Sequence, residues 1–366
     1  MILRLALLVT AAVAIVACSG PAAAPSPQPS VSPPSSATPS ATPKVVRAEV
    51  FVFSNSSPNV TVIDAETFKV TRTKDLPGFK AWTWNDDNNY FDGRNLWLGH
   101  RDPRTNEAEV ILLDVDTLQV TERIAVGKEA TTMYIGKPTP DGRLFVAKHA
   151  SWQLAVIDIQ TRKLLRAIDV DVNAGQTGTP PRWAACDSDA ATAGDGITRI
   201  YVPSNAGTTT IAIDAATGTP LKTLDHPAGS RPCMLTVGPD KKVWVQECDG
   251  NANVVLDPVS LEILKRVPSG KGPVVAAFTA DGKYGLIGHS GDTVVQVVDA
   301  KTFAEVKRIE VGTNPDKVSS HPNGKWVFAE ISKEAAVGVI DTSSWTVTER
   351  IPIGTNPTGI FVRQLP

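Results

Sequence analysis

The sequence has no excess of either charge, and it has few cysteines and histidines. Its 36 basic and 38 acidic residues give a formal net charge of −2. They include no basic block, which argues against electrostatic binding of nucleic acid. The four cysteines and five histidines form no C-x-x-C, C-x-x-C-H or H-x-E motif. Because a structural zinc site needs four ligands at bond distance, we expect no metal, no covalent haem and no other cofactor.

Sequence motifs of catalysis are also missing. No G-x-S-x-G segment marks a nucleophile elbow. No glycine-rich phosphate loop follows a strand and opens a helix, and helical patterns are scarce throughout. A Ser–His–Asp arrangement stays open as an alternative, because the loops of a repeat fold can bring distant residues together.

The one long apolar run lies at the N-terminus. Arg4 precedes the apolar segment 5–17, which is too short to span a bilayer comfortably and fits a secretory signal. It ends in Ile15-Val16-Ala17-Cys18, which resembles the lipobox of bacterial lipoproteins and implies lipidation of Cys18. An ordinary cleaved signal with a chance cysteine is the alternative. We predict an exported protein, anchored by lipid to the cell membrane and facing the periplasm or the cell exterior.

Composition divides the chain into three segments. Residues 1–18 are the predicted lipoprotein signal peptide. Residues 19–44 are nearly all Pro, Ser, Ala and Thr, and such a segment has too little apolar surface to offset the entropy of ordering. Since Pro-rich chains extend by about 3.1 Å per residue, this disordered tether reaches up to roughly 80 Å. Residues 45–366 are long enough to form a large folded domain.

One sequence motif recurs seven times in that domain: an apolar strand ends in Asp, and a Thr or Ser follows three residues later. Successive copies lie 42 to 56 residues apart, a spacing typical of propeller blades. The carboxylate can accept backbone N–H groups one or two residues on and so close a turn. We therefore interpret these residues as structural and not as catalytic or metal-binding: Asp64, Asp114, Asp158, Asp214, Asp257, Asp299 and Asp341.

Two further turn motifs recur in the repeats. A G-x-x-P segment follows most hairpins, as at Gly312-Thr-Asn-Pro315, and an Asp-Gly or Asn-Gly pair marks a second hairpin tip. Each repeat thus holds four strands: inner, second, third and outer. The sequence predicts an all-β, seven-bladed β-propeller of four-stranded antiparallel blades. Segment 358–362 matches an inner strand and should join three N-terminal strands, which removes an exposed sheet edge.

The repeats resemble those of the YVTN-repeat β-propeller family from about Val45 to the C-terminus. The phrases Tyr201-Val-Pro-Ser-Asn205 and Ile353-Gly-Thr-Asn-Pro357 match that family best. The resemblance implies a seven-bladed propeller that is often exported, and implies little about activity. Two repeats are longer than the others, around residues 85–91 in blade 2 and 187–197 in blade 4. We expect both insertions between the inner and second strands, on one face.

Candidate ligand-binding residues lie at the ends of the second strands. An aromatic residue aligns the second strands of the first five blades and defines an aromatic column, with Gly285 and Val327 at this place in the last two blades. The column consists of Phe51, Trp97, Phe145, Tyr201 and Trp244. Four residues further on, the alignment predicts a ring at the usual ligand entrance, consisting of Asn55, Arg101, His149, Asn205, Cys248, His289 and Ile331. His100 is adjacent to this ring. Capping of the loops is the alternative role for the asparagines of the ring. The remaining histidines, His226 and His321, are expected in solvent.

The cysteines allow one pairing to be predicted. If the hairpin tip of blade 5 spans 239–242, Gly238 faces Val243, and Cys233 faces Cys248 across antiparallel strands. Directly opposed side chains are close enough for a slightly strained disulfide, which an exported location favours. Cys186 then remains a buried free thiol. Three packed thiols are the alternative.

Two functions remain in view. The first is a monomeric binding or scaffold module that presents a surface to a protein, a glycan or a small molecule, with membrane contact through the lipid anchor only. The second is an enzyme or cofactor carrier that uses the entrance, like the related lactonases, d1-haem proteins and quinoprotein amine dehydrogenase subunits. His149, His289, Arg101 and Asn205 motivate it. We favour the first, because no catalytic constellation is recognisable.

Overall fold

A computed structural model describes residues 46–76, 81–82, 90–102, 104–129, 133–170, 187–204 and 207–366. The predicted signal peptide, tether and lipidation site at Cys18 lie outside these ranges, as do Cys186 and Asn205. The described residues form seven antiparallel sheets, and the predicted all-β, seven-bladed fold is confirmed. No helix long and apolar enough to cross a membrane occurs within those ranges.

Twenty-nine strands build the sheets. In chain order they are β1 (Ala48–Ser54), β2 (Asn59–Asp64), β3 (Lys69–Asp75), β4 (Ala81–Trp82), β5 (Tyr90–Phe91), β6 (Asn95–Arg101), β7 (Glu107–Asp114), β8 (Gln119–Lys128), β9 (Met133–Ile135), β10 (Arg143–Lys148), β11 (Gln153–Asp158), β12 (Lys163–Asp169), β13 (Asp189–Thr192), β14 (Thr198–Pro203), β15 (Thr209–Asp214), β16 (Pro220–Asp225), β17 (Pro232–Val237), β18 (Val243–Glu247), β19 (Ala252–Leu256), β20 (Ile263–Pro268), β21 (Pro273–Phe278), β22 (Tyr284–His289), β23 (Val294–Asp299), β24 (Glu305–Glu310), β25 (Lys317–Ser320), β26 (Trp326–Ile331), β27 (Ala336–Asp341), β28 (Thr346–Pro352) and β29 (Pro357–Gln364). Blades 3 to 7 each take four consecutive strands, from β9–β12 to β25–β28, and blade 2 takes β4–β8.

Blade 1 closes the ring as the sequence predicts. Its strand order is β29-β1-β2-β3, so one C-terminal strand becomes the inner strand of a sheet begun at the N-terminus. Phe361 lies opposite Phe51 in this pairing. Arg363 adds ion pairs to Glu49 at 3.0 Å and to Asp116 of blade 2 at 2.7 Å. Backbone pairing and charge therefore join the two ends of the domain.

The repeated Asp closes the turn between third and outer strands. In blade 1, Asp64 Oδ1 accepts the backbone N–H of Glu66 at 3.0 Å and that of Thr67 at 2.7 Å. The next residue, Phe68, has a positive φ of 59° and donates its N–H to Asp64 O at 2.8 Å. All seven blades place a positive φ at this position, at Phe68, Leu118, Arg162, Gly218, Leu261, Phe303 and Trp345.

Bulky residues at positive φ are uncommon, and here packing explains them. The Phe68 ring lies 5.1 Å from that of Trp326 in the preceding blade. Trp345 lies 5.4 Å from Tyr284 in the same relation. Each side chain is thus a contact between blades, and its packing offsets the backbone strain.

Because of the Asp turns, the stability of the folded domain should depend on pH in the acidic range. Hydrogen bonds from the backbone of Thr117, and from Arg94 at 2.7 Å, lower the pKa of buried Asp114 to about 2. A carboxyl whose pKa is lower in the folded than in the unfolded state stabilises the fold above its unfolded value near 4. We expect this contribution, about 2 kcal/mol, to be lost as pH falls from 4 to 2. Urea unfolding across that range should show a shallower decline for Asp114→Asn, and an unchanged slope would contradict this role.

Cys233 and Cys248 form a disulfide in blade 5, with their Cα atoms 5.9 Å apart. They do not face each other in regular strand register, as the sequence analysis supposed. A β-bulge between Pro232 and Met234 displaces Cys233 from the ladder. The bulge, and not a directly opposed pair, brings the two sulfurs together.

The register of this hairpin differs from the prediction by one residue. Val237 faces Val243, whereas the prediction placed Gly238 there. Gly238 belongs to the loop instead, where its N–H donates to Lys242 O at 2.9 Å. The loop is therefore one residue longer than assumed.

This pairing predicts the thiol content of the mature protein. If Cys18 is lipidated or removed, as the N-terminal sequence predicts, denatured and unreduced protein should react with one equivalent of thiol reagent, at Cys186. Reduction should raise the count to three. A count of three before reduction, or a peptide bridge to Cys186, would be incompatible with the Cys233–Cys248 pair.

Both insertions lie elsewhere than predicted. In blade 2, strands β4 and β5 pair one after the other with β6, so the extra residues interrupt the inner strand. In blade 4, Asp189–Thr192 is itself the inner strand, and the additional length falls before it. Repeat length alone cannot place an insertion within a blade.

Candidate functional site

The entrance face carries the loops from outer to inner strands and from second to third strands. Each outer-to-inner loop in four consecutive blades contains a residue of positive φ: Arg231, Gly272, Asn314 and Asn356. Its carbonyl accepts a backbone N–H from the end of the second strand, from Cys248 at 3.0 Å, Ser290 at 2.8 Å, Ser332 at 3.1 Å and Asn55 at 3.0 Å. These four donors occupy one structural position.

This equivalence corrects the predicted ring in two blades. Ser290 and Ser332 take the ring positions that the sequence alignment gave to His289 and Ile331. The aromatic column shifts with them, to Leu286 and Phe328, since Leu286 faces Val297 in the same register. A one-residue slip moves every side chain of a strand to its other face, so His289 points away from the ring.

His289 is fully buried, and its ring forms hydrogen bonds with its own blade and with the loop that enters it from blade 5. Its Nδ1 lies 2.8 Å from Val294 O, and its Nε2 lies 2.8 Å from Ser269 Oγ and 3.1 Å from the N–H of Gly270. Burial lowers its pKa. With both ring nitrogens engaged, this histidine holds the loops together.

His226 and His321 are buried too, and the prediction that they lie in solvent is wrong. His226 Nδ1 lies 2.8 Å from Glu247 Oε1, and its Nε2 lies 2.8 Å from Thr210 Oγ1. His321 Nε2 lies 2.8 Å from Glu66. Both histidines bridge neighbouring blades, so three of the five histidines are structural.

The other candidates divide between neighbouring blades. Asn55 is buried in blade 1. His100 and Arg101 end strand β6 in blade 2, where Arg101 donates to Asn106 Oδ1 at 3.1 Å. His149 follows strand β10 in blade 3, and burial lowers its pKa although Glu129 acts to raise it. His100, Arg101 and His149 thus share adjacent blades, whereas His289 lies in blade 6.

Two buried charged residues of this region, Lys148 and Glu129, escaped the sequence analysis. Lys148 is 4% exposed and Glu129 is 2% exposed. The Glu129 carboxylate accepts the backbone N–H groups of Ala150 at 2.9 Å and Ser151 at 3.2 Å. A lysine at the end of an apolar strand, Leu144-Phe-Val-Ala-Lys148, was the available signal.

A cavity of about 300 Å³ lies over these residues. The second-to-third loops of blades 2 and 3 form two of its walls, and the loop after β8 forms the third. Most of the residues that line it are polar: Thr105, Asn106, Lys128, Glu129, Ala150 and Ser151. The cavity opens on the entrance face.

Apolar side chains meet across the central channel. Tyr134 from the inner strand of blade 3 packs in one buried cluster with Met234 of blade 5 and Val274 of blade 6. The disulfide cysteines belong to the same cluster. Within the part of the chain described here, no group of three or more His, Cys, Asp or Glu side chains could hold a metal ion.

No protein-family model and no curated protein sequence matches the chain. Solved structures do resemble it. The periplasmic gluconolactonase PpgL of Pseudomonas aeruginosa is 16% identical, with a TM-score of 0.67 over 87% of this chain and 100% of that one. The shared architecture is the seven-bladed propeller.

Two further propellers are similar. A protein from Lactobacillus plantarum is 13% identical over 87% of this chain and 100% of its own, with a TM-score of 0.66. AztD of Citrobacter koseri is 12% identical over 88% of this chain and 99% of its own, with a TM-score of 0.60. At such identities the likeness shows the fold alone.

Proposed function

We propose that this protein is an exported, lipid-anchored propeller that binds a small ligand on its entrance face, over blades 2 and 3. The observation that carries the proposal is the cavity at the loop that follows His149, with buried Glu129 in its lining and buried Lys148 nearby. Buried charges are rare unless they serve structure or function. The apolar cluster in the channel favours a site at the entrance over one along the axis.

Ligand-dependent thermal stability tests this site. A ligand that binds only the folded protein raises the melting temperature by mass action. We expect that compounds which raise the melting temperature, found in a screen of sugars, sugar acids, glycans and peptides, no longer do so in Arg101→Ala or His149→Ala. The same compounds should still raise it in Lys301→Ala, an exposed position on the opposite face. Shifts that survive both entrance variants would place the site elsewhere.

Lactone hydrolysis is the second candidate, because PpgL is a gluconolactonase of the same fold. Burial lowers the pKa of His149, which favours the neutral imidazole that a general base requires. Turnover of gluconolactone by the purified protein, lost in His149→Ala, would establish an enzyme. Binding of such compounds without turnover supports the binding protein.

Export and anchoring rest on the N-terminal segment and have their own test. Expressed with its natural N-terminus in a bacterial host, the protein should fractionate with membranes. Cys18→Ala should release it from them or leave it unprocessed. Membrane release of the wild-type protein by high salt alone would argue against a lipid anchor.

A further inference from the structure

Lys148 is a buried lysine that has no carboxylate partner among the described residues. Its Nζ lies 3.2 Å from Gln153 Oε1, and no carboxylate of the described residues lies within ion-pair distance. Burial lowers its pKa, although Glu129 acts in the opposite direction. Because burying a charge that has no ion-pair partner is unfavourable, we expect this side chain to destabilise the folded protein.

Lys148 does not itself line the cavity, but its ammonium lies close to one of the segments that form it. A Cβ placed on Gly127 would stand 3.5 Å from Lys148 Nζ, and Lys128, the next residue, lines the cavity. On the other side, Lys148 is two residues before Ala150, which also lines it. Gly127 has a φ of 92°, a backbone conformation that favours glycine, so no side chain stands at this point beside the ammonium.

The adjoining loop already holds a carboxylate. Besides the N–H groups of Ala150 and Ser151, the Ser151 hydroxyl donates to Glu129 Oε2 at 3.1 Å. Successive backbone N–H groups of this kind form anion-binding concavities. Here the chain's own Glu129 fills one, and nearby Lys148 has Gln153 but no carboxylate of the described residues as a partner.

We propose that the cavity between blades 2 and 3 binds a small hydroxylated carboxylate, whose negative charge pairs with Lys148. The inference rests on the proposed function and specifies its ligand class. The hydroxyl of Thr105, the amide of Asn106 and the ammonium of Lys128 supply further polar groups to a molecule in the cavity. A neutral polyol lacks the charge that Lys148 requires.

Calorimetric titration with gluconate and sorbitol tests this class, because the two probes differ chiefly in the carboxylate. We expect the wild-type protein to bind gluconate and to bind sorbitol far more weakly. Lys148→Met should weaken gluconate binding about 10- to 100-fold, the range of a hydrogen bond to a charged group. Lys265→Met, an exposed outer-strand position, is the control and should leave the affinity unchanged.

Stability without ligand separates a binding role from a structural one. Lys317 is also buried, but it pairs with Asp316 at 2.8 Å and with Glu330 at 3.2 Å. We expect Lys317→Met to lower the melting temperature and Lys148→Met to raise it. A binding residue that destabilises the ligand-free protein shows this pattern.

The outcomes distinguish failure of the proposed ligand class from failure of the proposed function. Equal binding of gluconate and sorbitol, or gluconate binding that survives Lys148→Met, overturns the carboxylate class while leaving an entrance site. A loss of stability in Lys148→Met that matches Lys317→Met overturns it as well. Ligands that bind elsewhere, with no response to Arg101→Ala or His149→Ala, refute the proposed function itself.

Discussion

Removal of residues 357–366 is expected to abolish cooperative folding of the domain. Strand β29 supplies the whole inner strand of blade 1, and Ile360, Phe361 and Val362 are at most 8% exposed. Burying each such side chain contributes about 1.5–3 kcal/mol. Their combined loss approaches the total stability of a domain, about 5–15 kcal/mol. The truncation also exposes the edge of β1, which invites aggregation.

Thermal and urea unfolding, followed by circular dichroism and light scattering, would show this effect. The matched control removes only Leu365 and Pro366, which follow the strand and contribute one backbone hydrogen bond, from Leu365 to Arg47 at 2.8 Å. It should fold normally. A long truncation that keeps a sharp, reversible transition would show that the ring does not depend on closure by β29.

Glu247→Ala is expected to be the most destabilising single substitution in the contact between blades 4 and 5. The carboxylate of Glu247 is fully buried. It lies 2.8 Å from the His226 ring nitrogen and accepts a hydrogen bond from Arg266 at 2.6 Å. Burial acts to raise the pKa of Glu247, but these two partners outweigh it and the pKa is lowered. Removing one member of a buried pair costs about 3–5 kcal/mol.

Glu334→Ala is the control for charge. Glu334 pairs with Arg350 at 2.8 Å, and the two side chains are 38% and 47% exposed. Such pairs contribute about 0–1 kcal/mol. Urea unfolding of both variants at neutral pH compares them directly. Similar losses in the two would mean that the buried network of His226 adds nothing beyond an ordinary surface pair.

Local sequence signals accounted for most of the fold. The Asp turns, the hairpin tips and the apolar strands each depend on residues close in the chain, and their repetition predicts seven blades and ring closure. Except for Gly218 in blade 4, the residue after each turn is bulky and was not predictable as a positive-φ position. Phe68 takes that conformation because Trp326, distant in sequence, packs against it.

The candidate site was predicted less completely. His100, Arg101 and His149 were identified because polar residues at the end of a buried strand stand out. His289 was misplaced because Gly285, rather than Leu286, was aligned with the aromatic column. Glu129 was missed, since nothing local distinguishes a buried glutamate from an exposed one. Lys148 was missed although it ends an apolar strand, because only the packed blades show that its side chain is buried.

The sequence by itself determined the number of blades, the turns between strands and the strand that closes the ring. Hydrogen-bonding turns and alternating apolar residues act over a few positions, so they can be read from the chain. Only the tertiary structure decided which polar side chains meet. A single bulge, as at Cys233, or a one-residue change in a loop reverses the faces of a strand. The charge environment of Lys148 therefore emerges only when blades 2 and 3 pack together.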